Sequence, residues 1–501
     1  MTQHAWIAAL AGCALGLAGC TVGPDFRTPD AVADAQYTTG AQPVQTVNAD
    51  TTNAGQPQTL DANADVPAQW WTLFRSEALD QTIRAALDAS PTVAQASARL
   101  REAQENLAAR TGATRWPTVD AKVNATRQQI DFQSLGITAI PSPGPFTLYG
   151  ATVQVSYALD IFGGQRRELE GLHAQVDYQR YELEAARLSL AANVATTAIR
   201  EAGLRAQLAD AQAIADDQQR QLDILERRLA VGGVARVDVQ RQAAELAQTR
   251  ALLPTLAQQI EAARHQLAVY TGQTPASARL PEFRLDDLRL PETLPLSLPA
   301  TLARRRPDIR AAEATLHQAS ANIGVATANL YPQLTLTASG GSQAVNASDW
   351  LRSLNVWSLA AGVVQPVFHG GELRARKRAA EAAYEASLAA YRLAVLQGLQ
   401  DVANALQALD ADARVLRERA VNAQQARATL DVVTAQYRLG GVSQLTLLDA
   451  ERQSRQAARD LAEATASRLA DSAALLQALG GGWWQDGEDV AQAKASQAPT
   501  R

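Results

Sequence analysis

Aromatic side chains make up only 5% of this 501-residue chain, methionine occurs once and cysteine twice. Few large side chains, against 47% hydrophobic residues of which much is alanine, give little to fill a wide globular core and point to long packed helices. Both cysteines, Cys13 and Cys20, fall within the first twenty residues, which excludes a disulfide framework and a thiolate metal site. No excess of positive charge exists, the net charge being −5, so there is no electrostatic case for nucleic acid as a partner. After the N-terminus no apolar run reaches the ~18 residues of a transmembrane helix, so a membrane span would have to be built from something else. The five histidines (His4, His173, His265, His317 and His369) lack ligand spacing, and no phosphate loop or nucleophile elbow occurs. The reading is therefore of a protein that is no enzyme, with no metal and no bound cofactor.

What is present begins with Ala5 to Gly19, apolar and ending in small residues. It has the length of a secretory signal core and is too short to span a bilayer, although no Lys or Arg precedes it. Residues 1–19 are thus expected to be a signal peptide. Residues 20–67, rich in Thr, Gln, Asp, Asn and Pro, are expected to form an extended or poorly ordered segment.

Beyond that the chain repeats itself. PTVAQASARLREAQENL (Pro91 to Leu107) matches PDIRAAEATLHQASANI (Pro307 to Ile323) at an offset of 216, and LDILERRLAVGGVARV (Leu222 to Val237) matches LDVVTAQYRLGGVSQL (Leu430 to Leu445) at 208. Two halves, 68–272 and 298–479, are joined by a linker at 273–297 and followed by a tail at 480–501. Each reads as helix, strand pair, long helix, turn, helix. The expected helices cover about 77–114, 166–230 and 236–272, then about 298–330, 373–438 and 444–479. Leu256, Ile260, Ala263, Leu267 and Tyr270 alternate spacings of four and three, as in a coiled coil. At ~1.5 Å per residue the long helix reaches on the order of 100 Å, which suggests a tall cylinder.

The strand pairs fall at about 117–162 and 332–368. Ala151, Val153, Val155, Tyr157 and Leu159 alternate with small or polar residues, as do Val119, Ala121, Val123 and Ala125, and then Leu334, Leu336 and Ala338. Such strands are long enough to cross an outer membrane at ~9–11 residues each. Four of them cannot close a barrel, for which about 8 is the minimum, so spanning strands would require several chains. A soluble antiparallel sheet with one wet face has the same alternation, and the strands alone leave both readings open.

With these features the chain resembles the outer membrane factors of tripartite efflux pumps, the TolC-like channels, in the lipoprotein branch called NodT-type. The residues that carry the likeness are Cys20-Thr21-Val22-Gly23-Pro24-Asp25-Phe26, Trp70-Trp71 with Phe74, and the duplicated plan. Arg304-Arg305-Arg306-Pro307-Asp308, GGVSQLTLLDAERQ (Gly440 to Gln453) and Gly480-Gly481-Gly482-Trp483-Trp484 complete it. The resemblance implies a mainly α fold with a small β part: a homotrimer with a shared 12-stranded transmembrane β-barrel and a helical α-barrel reaching through the periplasm. It also implies a periplasmic adaptor and an inner-membrane transporter, of RND type, as partners. The function implied is passive export of small toxic compounds or drugs. The competing reading is a periplasmic coiled-coil lipoprotein acting as scaffold or tether without a pore.

By the same resemblance, the tips at Gly232-Gly233 and Gly440-Gly441 meet the adaptor, although these glycines also read simply as helix stops. Leu445 and Asp449 occupy the positions of an apolar and an acidic ring that narrow the periplasmic end, and Arg452 is placed to pair with Asp449. An ordinary solvated Asp–Arg pair is the plainer reading of the same spacing. Arg236 and Asp238 of the first tip are weaker candidates. Of the two Leu-Ala-Gly-Cys tetrapeptides, the one ending at Cys20 is where the apolar run stops, so Cys20 is the expected lipidation site, with diacylglycerol on its thiol and an acyl chain on its amine. Thr21 after it directs the protein to outer membrane lipid by family habit.

Overall fold

The computed structural model describes residues 21–30, 36–38, 44–49, 54–62, 64–132, 136, 139, 141–296, 299–349 and 356–485. The expected signal peptide, Cys20 and the last sixteen residues of the tail lie outside the described residues. The chain divides into two compact units.

The first unit takes residues 21–29, 99–179 and 312–391 and holds a four-stranded antiparallel sheet. Its strands are β2 (Thr118–Gln128), β3 (Phe146–Leu159), β5 (Gln333–Ala344) and β6 (Val356–Val364), in the order β2-β3-β5-β6. The hairpin of each half therefore joins the other through β3 and β5. The register carries one apolar face across all four strands. Val119 faces Val155, Val155 faces Ala338, and Ala338 faces Leu359; one step along, Ala121, Val153, Gly340 and Trp357 form the next row. The opposite face carries Asp120, Gln154, Ser339 and Ser358 in one row, with the Ser339 and Ser358 hydroxyls hydrogen-bonded at 2.8 Å. Period-two alternation in the sequence thus becomes two chemically distinct faces because the register keeps the apolar positions of neighbouring strands together.

Residues 21–28 are strapped onto this unit. Val22 N–H donates to Phe162 O at 3.1 Å, and the nearly buried Arg167 donates to Val22 O and Gly23 O and pairs with Asp25 at 2.7 Å. Phe26 stacks on His317 with ring centroids 4.3 Å apart.

The second unit takes the described residues of 30–98, 180–311 and 392–485. It contains a two-stranded parallel pair, β1 (Thr59–Asp61) with β4 (Thr293–Pro295), that periodicity did not suggest. It also contains α1 (Glu77–Ala89), α4 (Arg236–Tyr270), α5 (Pro299–Arg305) and α8 (Gln444–Ala478). Four helices contribute residues to both units: α2 (Pro91–Arg115), α3 (Gly164–Ala230), α6 (Pro307–Ala328) and α7 (Glu372–Arg438). The core is made by Trp70, Phe74, Leu79, Ile83, Leu302 and Ile309, all fully buried.

Two differences from the sequence reading have one cause. The helix expected over 77–114 is two helices, broken at Ser90, and that expected over 298–330 is two, broken at Arg306. Each break precedes a proline, Pro91 or Pro307. The proline ring bars the preceding residue from helical angles, and Ser90 is accordingly extended at φ −65°, ψ 128°. Proline itself is well placed at the first position of the next helix, where its missing N–H is no loss.

Where described, residues 20–67 take the extended form of the two expected for them, and the segment is not loose. Arg468, fully buried, donates to Ala54 O at 2.7 Å, Gln56 O at 2.9 Å and Thr46 Oγ1 at 3.0 Å, while Gln58 Nε2 donates to Ser472 Oγ and Pro291 O, both at 3.0 Å. Among the described residues no helix is long and apolar enough to cross a membrane.

Candidate functional site

The candidate site lies at the α3–α4 and α7–α8 turns of the second unit. Both turns close in the same way. Gly232 N–H donates to Leu229 O at 3.0 Å and Gly233 N–H to Arg228 O at 2.8 Å; Gly440 and Gly441 repeat this onto Tyr437 O and Gln436 O at 3.0 and 2.8 Å. This is the Schellman motif, and its left-handed residue is Gly232 or Gly440, each at φ +76°. The turns leave Val231 and Leu439 83% and 89% exposed, a pair of apolar side chains held in water by the shape of the turn.

The second turn leads directly into α8. Ser443 caps it, its hydroxyl accepting from Thr446 N–H at 3.3 Å. From there the helix has two faces. Gln444, Leu447, Leu448 and Glu451 are buried, whereas Leu445 and Arg452 are exposed and Asp449 is half-buried on the same stripe. The three predicted gate residues therefore lie together on one solvent-facing strip, and Arg452 Nη2 donates to Asp449 Oδ1 at 2.8 Å. In the first turn Arg236 is exposed and Asp238 half-buried at the start of α4. The four tip glycines lie at the turns, and a side chain at Gly232 or Gly440 would meet open space.

Behind the exposed strip is a polar seam that sequence reasoning missed. Gln444 Nε2 donates to Gln242 Oε1 at 3.0 Å, and Gln242 Nε2 to Gln218 O at 3.3 Å, so α8, α4 and α3 are tied in series. Gln221 of α3 donates to Glu451 of α8. Arg455 donates to Thr249 Oγ1 at 2.7 Å and pairs with Glu245 at 3.4 Å. Burial pushes the Glu451 carboxyl above the usual range; Asp217 and Glu245 add to this, while Gln221 and Arg455 oppose it. A signal for this seam did exist: positions 444, 447, 448, 451 and 455 share one helical face, and three of the five are polar.

Comparisons place these features among known proteins. Residues 82–273 and 298–481 match the sequence profile of a family described as "Outer membrane efflux protein", in two segments that follow the internal repeat. The chain is 34% identical over 433 residues to the pyoverdine export outer membrane protein OpmQ of Pseudomonas putida, covering 86% of this chain and 91% of that one. It is 28% identical over 478 residues to nodulation protein T of Rhizobium leguminosarum bv. trifolii, covering 93% and 95%. Its fold is similar to that of the outer-membrane channel OprN, with a TM-score of 0.82 at 30% identity, over 93% of this chain and all of the other.

Proposed function

The chain belongs to the outer membrane efflux protein family, and on that premise we propose that three copies form one conduit whose periplasmic end is narrowed by Leu445 and Asp449. The protein is an outer membrane efflux channel that extends into the periplasm. The observation that carries the joining of several copies is the sheet. Its four strands present one apolar and one polar face, and its edges, β2 and β6, pair with no further strand among the described residues. In lipid such edges must be paired, and four strands are too few to curl onto themselves. Three copies joined β6 to β2 give twelve strands, with Val119, Val153, Leu359 and Trp357 towards lipid and Asp120, Gln154 and Ser358 lining the passage. A tether without a pore has no use for that arrangement.

At the α7–α8 turn, threefold symmetry turns each member of the α8 strip into a ring. Three Leu445 side chains resist wetting, and three Asp449 carboxylates favour cations over anions. Arg452 holds each carboxylate in place or reaches that of a neighbour. The exposed Val231 and Leu439 tips are the surface for a periplasmic adaptor, which links the conduit to an inner-membrane transporter. The conduit carries cargo passively and performs no chemistry. The cargo is a class of small toxic compounds; the relative OpmQ is named for the export of pyoverdine. Cys20, one residue before the strapped segment, carries the lipid. The strap sets Thr21 against Gly163, four residues after β3.

Conductance in planar bilayers tests the conduit. The wild type should give discrete pores of low open probability, and Asp449→Ala should open them more and weaken cation preference. Absence of discrete pores from both proteins would overturn the reading. Metabolic palmitate labelling, lost in Cys20→Ser, tests the anchor separately.

A further inference from the structure

Three buried acceptors in the polar seam have no hydrogen-bond donor: Gln221 Oε1, Glu451 Oε2 and Gln444 Oε1. Two of them belong to side chains that already share a hydrogen bond, since Gln221 Nε2 donates to the other carboxyl oxygen of Glu451. Unsatisfied buried oxygens cost free energy each, so their occurrence on both members of one bonded pair calls for a donor between them. A carboxylate has none to offer, but a carboxylic acid does. One proton on Glu451 Oε2, donated to Gln221 Oε1, would close a two-bond acid–amide ring and satisfy both oxygens together.

We propose that Glu451 is a proton-binding site, and that its proton joins α8 to α3 through this ring with Gln221. The surroundings fit a neutral acid. Glu451 is buried, as are Leu447 and Leu448 on its own helix and Leu222, the residue after Gln221 on α3. The charged groups facing it are Asp217 from α3, Glu245 from α4 and Arg455 from α8. Arg455 is already engaged with Glu245 and Thr249, so the seam's one nearby cation is shared with another carboxylate. Burial is the largest influence on the Glu451 carboxyl and raises it. Loss of the proton puts a carboxylate against the Gln221 carbonyl oxygen and weakens the seam between the two helical hairpins. The site stands independently of any gate at Leu445 and Asp449, although it sits on the opposite face of the same helical turns.

The sign of the pH effect follows from the direction of the shift. A carboxyl whose folded-state pKa is raised stabilises the fold fully below the ordinary carboxylate value and loses that contribution as pH rises through the raised value. Thermal unfolding of the full-length protein in detergent, between pH 4 and 8, measures this against Glu451→Gln, which keeps an uncharged partner for Gln221. The wild type should lose up to about tenfold in folding constant per pH unit relative to the variant within that window, then run parallel to it. Parallel behaviour throughout would overturn the proposal. Infrared titration supplies a readout that does not require the glutamine variant to fold. In the wild type a hydrogen-bonded protonated carboxyl band should persist above the usual glutamate range. In Gln221→Leu the band should move to the higher frequency of a free acid. If no protonated carboxyl band above that range responds to Gln221→Leu, Glu451 is ionised and the ring does not exist.

Discussion

The sheet of the first unit and the core of the second treat large side chains in opposite ways. On β6, Trp357 and Leu359 are 83% and 77% exposed within one chain, and Phe368 just beyond is as open. In the second unit Trp70 and Phe74 are sealed, and even a guanidinium, Arg468, is fully buried. The same residue types thus mean different things in the two places. In the core of the second unit apolar groups cover one another, and the buried Arg468 is met by Ala54 O, Gln56 O and Thr46 Oγ1. The sheet satisfies only its hydrogen bonds and leaves its apolar face for a solvent that is itself apolar. The contrast teaches that the identity of the solvent, rather than a hydrophobicity total, decides which face of a period-two strand is the inside.

Substitutions can break this contrast. The largest effect belongs to the sealed core: Phe74→Ala should cost about 3–5 kcal/mol of stability, seen as a lowered thermal midpoint, because the cavity cannot refill. Alanine at Leu359 should cost far less in detergent. Charge reverses the ranking on the sheet. Leu359→Arg should cost about 2–4 kcal/mol of insertion if this face meets the bilayer midplane, whereas Ser358→Arg, one residue away, should insert normally. Equal yields of the two arginine variants in the outer membrane fraction would remove the assignment of faces.

Glycine sharpens the same comparison at smaller scale. Gly440 lies at φ +76° with open space around it, so Gly440→Ala should cost only the backbone term, about 1–2 kcal/mol. Gly482 lies at φ +74°, and a Cβ there would stand 2.3 Å from Val66 O, so Gly482→Ala should cost clearly more. One glycine serves a turn and the other serves a packed core. A midpoint shift of equal size for both would show that the tip turn is as tightly constrained as the core.

Which features could be read from the sequence follows from how far apart their causes lie in the chain. The strand faces and the two tip turns rest on spacing within a dozen residues, and the repeat shows as like segments at offsets of 216 and 208, so all are recognisable there. The long helices α3, α4, α7 and α8 start and end within two residues of the positions that spacing suggests. Asp449 and Arg452 pair as their i,i+3 spacing implies. The helix breaks at Ser90 and Arg306 are equally local, since Pro91 and Pro307 each open a matching segment of the repeat. The Arg468 clamp was out of reach: its partners at Thr46, Ala54 and Gln56 lie more than four hundred residues earlier. Nothing in SRLADS marks one arginine as the buried one. Glu451 stands between these cases, since its place on a buried stripe is local and its partner Gln221 is in the other half.

The smallest expected effect concerns the charge kept inside the second unit. Asp412 of α7 interacts with Asp471 of α8, and burial first, then the neighbouring Asp471, pushes Asp412 up to about 7 despite the opposing pull of Arg468. Arg468 is itself lowered to about 10 by burial, with Asp412 acting against the shift. Because the folded-state value of Asp412 is raised, its stabilising contribution is complete below about pH 4, the ordinary aspartate value, and is lost as pH rises through about 7. Asp412→Asn keeps a donor for Asp471 without the second charge. It should therefore match the wild type at pH 4 and melt higher above pH 7, by a modest amount because solvent reaches both carboxyls and screens them. If instead the variant melts lower at every pH, the Asp412 charge is holding Arg468 in place, and the burial of that guanidinium depends on α7 as much as on the N-terminal segment that it clamps.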